Sequence, residues 1–166
     1  MTVKQQDQQQ INWRLDWWLW PAAFLLALSG WGQVVWMWES VRPRYELFVS
    51  ELVLVEASRG VADTAAQRLS LLSGMSLLKV DEESRALAER LIAEGAMPTS
   101  AEPDALHVAI ATVHGVDYLL TWNCRHIDNA ALRPLLRSVC AAAGYRCPEI
   151  CTPLELLAEE DNDVPR

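Results

Sequence analysis

From Tyr45 onward, short apolar runs alternate with segments of helical period, and the pattern predicts a sequence of elements. Tyr45 to Val49 reads as a strand. Ser50 can cap a helix running to about Arg59, which Gly60 stops. Ala62 to Ser73 reads as a helix with Leu69 and Leu72 on its inner face, ended by Gly74. Leu77 to Val80 is a second apolar run. Asp81 caps a helix to about Glu94, in which Leu87, Leu91 and Ile92 fit a period of about 3.6 residues. A linker, Met97 to Glu102, leads through Pro103 and Asp104 into a helix to His114, stopped by Gly115. Leu106, Ile110 and Val113 form one stripe on it. Ala105, Ala109 and Thr112 form a small-residue face suited to close packing on a sheet. Tyr118 to Thr121 is a third apolar run, and a polar loop from Trp122 to Asn129 precedes a helix ending near Ala143. Glu149 to Cys151 is a last short strand, followed by a capping box, Thr152-Pro153-Leu154-Glu155.

Short, non-alternating apolar strands separated by helices are the pattern of a parallel sheet covered on both faces, so the expected class is α/β. In such sheets the functional crevice lies beyond the carboxyl ends of the strands. Before Tyr45 the pattern fails. Residues 1–12 are polar and Gln-rich and read as unstructured, and residues 13–40 follow neither period.

Composition sharpens that boundary. Of 8 Trp, only Trp122 follows residue 40; Trp13, Trp17, Trp18, Trp20, Trp31, Trp36 and Trp38 precede it. A chain of 166 residues fits one domain with a proper core, and 51% hydrophobic against 22% charged excludes a disordered chain. The net charge of −8 argues against a protein that coats nucleic acid indiscriminately. Most of it follows residue 40, since Lys4 and Arg14 nearly balance Asp7, Asp16 and Glu39. An acidic protein that processes nucleic acid needs metal ions or a local basic patch to offset phosphate repulsion.

Cys124, Cys140, Cys147 and Cys151 form no CxxC pair and read as reduced thiols, which suits a cytoplasmic location. Residues 17–38 carry no charge and, at ~1.5 Å per residue, are long enough for a bilayer-spanning helix. Pro21, Ser29, Gly30, Gly32 and Gln33 interrupt the run, so membrane anchorage is the secondary expectation beside a cytoplasmic protein.

Three positions could carry chemistry. Glu56 follows Leu52-Val53-Leu54-Val55 on a helix that is apolar nearly all round; it is either a buried acid that needs a partner or a solvent-facing residue at the helix end. Asp104 opens a helix of Ala, Leu, Val and Ile, and serves either as a site acid or as a favourable first-turn charge. Asn123 lies two residues beyond a strand, where side chains face a ligand in a parallel sheet. His107 and His114, seven apart, lack a third ligand for a metal site. His126 could touch substrate, and Arg125, Arg133 and Arg137 gather nearby or form a solvated face. No GxGxxG, GxxxxGK[ST], GxSxG or HExxH is present, so dinucleotide, P-loop, serine-hydrolase and zincin chemistries have no support.

The set of three segments carries a family resemblance. Ser50-Glu51-Leu52-Val53-Leu54-Val55-Glu56, Pro103-Asp104-Ala105-Leu106-His107-Val108-Ala109-Ile110-Ala111 and Gly115-Val116-Asp117-Tyr118-Leu119-Leu120-Thr121-Trp122-Asn123-Cys124-Arg125-His126-Ile127 together resemble a PIN domain. The nearest branch is the VapC-like one of toxin–antitoxin pairs. The resemblance implies a PIN-like three-layer sandwich over residues 41–160, a short parallel sheet flanked by helices. An atypical segment, 1–40, precedes it (disordered, an anchor, or an altered reading frame), and an acidic tail, 161–166, follows.

It further implies a metal-dependent endoribonuclease in which carboxylates hold Mg²⁺ or Mn²⁺ for hydrolysis of RNA phosphodiesters. Carried over, Glu56 and Asp104 are the metal carboxylates and Asn123 the catalytic polar position. Thr121, Arg125 and His126 contact substrate. The implied partners are RNA, a cognate antitoxin covering the acidic crevice, and a second copy of the chain. Two places depart from the family. Where many relatives carry a further acid three residues after the Asn, this chain has His126, with Asp128 two residues beyond. And no Val/Ile-rich strand ending in an acid appears in residues 1–40, so the first strand and first ligand read as missing or replaced. A chain lacking that acid is instead a catalytically impaired module that binds a protein or RNA, because two carboxylates hold a divalent ion poorly.

Overall fold

The computed structural model describes residues 9–13, 45–153 and 155. Five parallel strands form one sheet: β1 (Gln9–Trp13), β2 (Tyr45–Ser50), β3 (Ser76–Leu78), β4 (Tyr118–Leu120) and β5 (Glu149–Cys151), in the spatial order β3-β2-β1-β4-β5. The helices are α1 (Glu51–Ala57), α2 (Ala62–Leu72), α3 (Glu82–Ala93), α4 (Glu102–Val113) and α5 (Arg133–Ala142), with a 3-10 turn at Thr99–Ala101.

Helix starts follow the local chemistry expected of them. Ser50 Oγ accepts from the Val53 N–H at 3.2 Å, and Asp81 Oδ1 accepts from the Ser84 N–H at 2.8 Å, so each caps its helix with a side chain. Hydrogen bonding by Ser84 holds the Asp81 carboxyl below its ordinary range, as a capping acid at a helix N-terminus should be. Gly115 ends α4 at φ 67°, a left-handed conformation that glycine adopts without a Cβ penalty. The capping box at Thr152 is formed reciprocally: the Thr152 N–H donates to Glu155 Oε2 at 2.7 Å, and the Glu155 N–H to Thr152 Oγ1 at 3.4 Å.

The sheet lies between two apolar layers. Successive strand residues point to opposite faces, and β2 shows the division: Phe48 packs into one core and Val49 into the other. The larger core joins α3, α4 and α5 to the sheet through Leu87, Leu91, Ala105, Val108, Ala109 and Leu136. The smaller joins Val49 to Val53 and Ala57 of α1 and Leu72 of α2. This is the α/β three-layer arrangement expected from the sequence. Two details differ. On α2 the inward residues are Ala65 and Leu72, whereas Leu69 is 37% exposed: the short helix turns only a narrow stripe to its neighbours. On α1, Val55 is 51% exposed, so the run from Leu52 to Val55 is not buried all round.

The principal difference is β1. Residues 9–12 read as unstructured and Trp13 as the start of the Trp-rich segment; instead Gln9–Trp13 occupies the centre of the sheet. Ile11 lies opposite Leu47 of β2 on one side and Tyr118 of β4 on the other. A slot flanked by two strands offers a ladder on both edges, and that pairing outweighs weak intrinsic strand preference. Of the two readings, missing or replaced, the sheet has its central place filled, and residues 9–13 pair with strands that follow residue 41. Asp7, Asp16 and the uncharged run 17–38 lie outside the described residues. Among the described residues no helix is long and apolar enough to cross a membrane.

Proline at a central strand position removes a ladder hydrogen bond. Ile11→Pro is therefore expected to lower stability by at least about 1–3 kcal/mol, the penalty for a buried backbone group left unpaired, measured by urea denaturation. An unchanged midpoint would show that residues 9–13 do not pair in solution.

Candidate active site

Helix α4 is buried along almost its whole length: Asp104, Ala105, His107, Val108, Ala109, Ile110, Ala111 and Thr112 all lie inside. An ionisable side chain on such a helix must be paired or hydrogen-bonded to be tolerated there. Asp104, 7% exposed, stands in its first turn, and its Oδ2 accepts a hydrogen bond from Asn123 Nδ2 at 3.0 Å. Asn123 lies in the loop just past β4, so this bond joins the N-terminus of α4 to the carboxyl edge of the sheet.

That loop is internally braced. Fully buried Thr121 accepts from the Asn123 N–H through Oγ1 at 2.9 Å, while its own N–H donates to the Cys151 carbonyl at 3.0 Å, continuing the β4–β5 ladder. Asn123 Oδ1 accepts from the His126 N–H at 3.1 Å. The Asn123 side chain therefore donates to the acid and accepts from the loop, which fixes its amide orientation. Arg125 is exposed beside it, and the His126 ring is partly exposed.

Glu56 approaches from α1. Its Oε2 lies 3.3 Å from Nε2 of His107, whose side chain is 3% exposed against 22% for Glu56. His107 is three residues after Asp104, on the same side of α4 and about one turn along. Glu56 therefore meets α4 one turn from Asp104. The expected set thus falls into two linked groups, Asp104 with Asn123, Thr121 and His126, and Glu56 with His107. His107 was not singled out by sequence for this role; the available signal was its spacing from Asp104 on a helix with no solvent-facing stripe. His114, two turns from His107, does not join it: Nε2 bonds the Lys79 carbonyl at 2.9 Å and lies 3.6 Å from Asp81 Oδ2.

Asp128 is engaged elsewhere. It is ion-paired with Arg133, and its backbone N–H donates to the Asn123 carbonyl at 2.9 Å. The pair raises the Arg133 pKa, chiefly through the hydrogen bond to Asp128. Asp128 thus closes the loop, and Arg133 joins this ion pair rather than a free basic patch. Arg137 is held in the same way, by both carboxylate oxygens of Glu149 at 2.8 Å. All four cysteines are free thiols.

The oxygen donors fit a hard divalent cation in kind, since Mg²⁺ and Mn²⁺ take carboxylate, carbonyl and water ligands. They fall short in number: among the described residues no group of three or more His, Cys, Asp or Glu side chains converges as a metal site. Strand β1, in the place of the strand that would supply a first acid, contains no carboxylate in Gln9–Trp13.

A family model for the PIN domain matches residues 30–132, well over half of the chain. The chain belongs to the PIN domain family. That fold is in general a nuclease fold, often of ribonucleases, whose members typically use divalent metals and bind nucleic acid. The match takes in Glu56, Asp104, Thr121, Asn123, Arg125 and His126, and leaves out β1 and β5. No curated protein matches the chain.

Asn123→Ala removes the donor to a buried carboxylate and the acceptor for a loop N–H. The expected cost is about 1–3 kcal/mol of stability, read from urea denaturation. An unaltered midpoint would mean that the loop does not depend on this side chain.

Proposed function

We propose that this protein is a metal-dependent endoribonuclease acting as the toxin of a toxin–antitoxin pair, with Glu56 and Asp104 as its metal carboxylates. The observation that carries the reading is the Asp104–Asn123 hydrogen bond at the carboxyl edge of a parallel sheet, where such folds place their ligands. Glu56 and Asp104 would hold Mg²⁺ or Mn²⁺, and the ion would supply a water of lowered pKa and charge stabilisation for the phosphodiester oxygens. Asn123 keeps the Asp104 carboxylate in one orientation and ties it to the loop through the His126 N–H. Thr121 sets where that loop leaves the sheet. Exposed Arg125 and partly exposed His126, in the loop that carries Asn123, would receive backbone phosphates that the net charge of −8 would otherwise repel. The cognate antitoxin would cover this acidic crevice, in a cytoplasmic and dimeric protein.

A second reading has its own support. With no carboxylate in β1 and no three-ligand cluster among the described residues, the chain would be a PIN module that binds RNA or a protein without cutting. One set of measurements separates the two. The full-length protein should cleave RNA with Mg²⁺ or Mn²⁺ and not with EDTA. Asp104→Ala should lower the rate by more than about 10²-fold, since loss of an outer-shell partner alone costs ~10–100-fold. No cleavage with either metal, together with millimolar or absent Mg²⁺ binding by calorimetry, would establish the non-cutting module instead.

A further inference from the structure

We infer that Trp122 is a stacking platform for an unpaired nucleobase of single-stranded RNA; the inference rests on the RNA-binding part of the reading above and needs neither cutting nor a metal. Trp122 is the one tryptophan after residue 40, and it stands just past the carboxyl end of β4, 37% exposed. The residues before it, Leu120 and Thr121, are wholly buried, and the residue after it, Asn123, donates to Asp104. Trp122 is therefore the chain neighbour of the Asp104–Asn123 pair, at the edge where a parallel sheet presents its ligands. The other exposed large hydrophobic residues among those described are Val or Leu. A tryptophan left in water forgoes one of the largest apolar burials a side chain can make. Among the described residues its ring makes no aromatic or cation–π contact.

The backbone under this ring is braced on both sides. Thr121 Oγ1 accepts from the Asn123 N–H at 2.9 Å, the Trp122 carbonyl accepts from the Cys124 N–H at 3.0 Å, and the Asn123 carbonyl accepts from the Asp128 N–H at 2.9 Å. A platform ordered on folding loses little freedom when a base lands on it. Every base has a π face, so an exposed indole can take any of them, but only when the base is free. Inside an A-form duplex both faces are covered by neighbouring bases, which restricts the ligand to a loop, a bulge or a single strand. Arg125, three residues on, is exposed, and His126 is partly exposed. A cation for the phosphate and a ring for the base are the combination by which proteins hold single strands. With a net charge of −8 the chain has little general attraction for phosphate, so stacking supplies affinity that charge does not.

The test uses the full-length protein and two fluorescein-labelled RNA strands of equal length, one unstructured with all its bases and one abasic. Binding is read by fluorescence anisotropy in EDTA and, where none is seen, again with Mg²⁺; thermal melts accompany each variant. The wild type is expected to bind the base-bearing strand more tightly than the abasic one. Trp122→Leu should weaken binding of the base-bearing strand ~5–100-fold and leave the abasic strand unchanged. Trp122→Phe, which keeps a ring, should recover most of the loss. Should the Leu variant fail to fold, Trp122→Gln takes its place. Equal binding of the two strands by the wild type overturns the stacking role. So does wild-type affinity for the base-bearing strand in the Leu or Gln variant, which would leave the ring to a protein contact. Equal weakening on both strands overturns it too, because the ring would then act only through the shape of its loop. Failure of the wild type to bind either RNA in either condition overturns the RNA reading, and this inference with it.

Discussion

The burial of α4 is the constraint from which the site follows. The helix packs against α3 and the sheet with Val108, Ala109, Ile110 and Ala111 wholly inside, and it has almost no face left for water. Its small residues permit that close approach: Ala105, Ala109 and Ala111 let neighbouring backbone and side chains come near without a cavity. Two ionisable side chains nevertheless sit on the buried surface, Asp104 and His107. Leaving either without a counterpart would cost far more than one hydrogen bond returns. Each has recruited a group from another element, Asn123 from the loop after β4 and Glu56 from α1. The grouping of these four side chains is thus a consequence of where α4 lies.

Electrostatics then divides the remaining charges by task. Asp128 and Glu149 are engaged by Arg133 and Arg137, at the edge of the loop and along α5. These pairs brace the outer wall. Asp104 accepts from the amide of Asn123, and Glu56 approaches the imidazole of His107 to 3.3 Å. A chain with a net charge of −8 can concentrate negative potential there while its arginines hold the periphery together.

Gln9–Trp13 completes the sheet between β2 and β4, so the fold is whole, yet its residues bring no carboxylate to the place where the family's first acid would stand. Fold and chemistry have separable requirements here. A sheet needs an extended backbone that can pair on both edges; a metal site needs particular oxygens at particular ends of strands. The first requirement is met by a polar sequence with one isoleucine; the oxygens of the proposed metal site would come from Glu56 and Asp104.

What the sequence settled by itself is local. Capping by Ser50, Asp81 and Thr152 with Glu155, the glycine stop after α4, and the alternation of apolar runs with helical periods depend on neighbours a few residues apart, and so are written in the chain. The motif residues Glu56, Asp104 and Asn123 were visible because acids and amides stand out against apolar surroundings. Tertiary structure decided the rest. QQINW became a strand only because two partners flank it, and a ladder is made between segments more than 30 residues apart. Leu69 faces outward because the neighbours of α2 cover only part of its apolar face. Asn123 found Asp104 across 19 residues of sequence. His107 parted from His114 and met Glu56 instead. Periodicity records which side of an element is apolar; it holds no record of which distant group arrives to satisfy a buried charge, because that is set by packing.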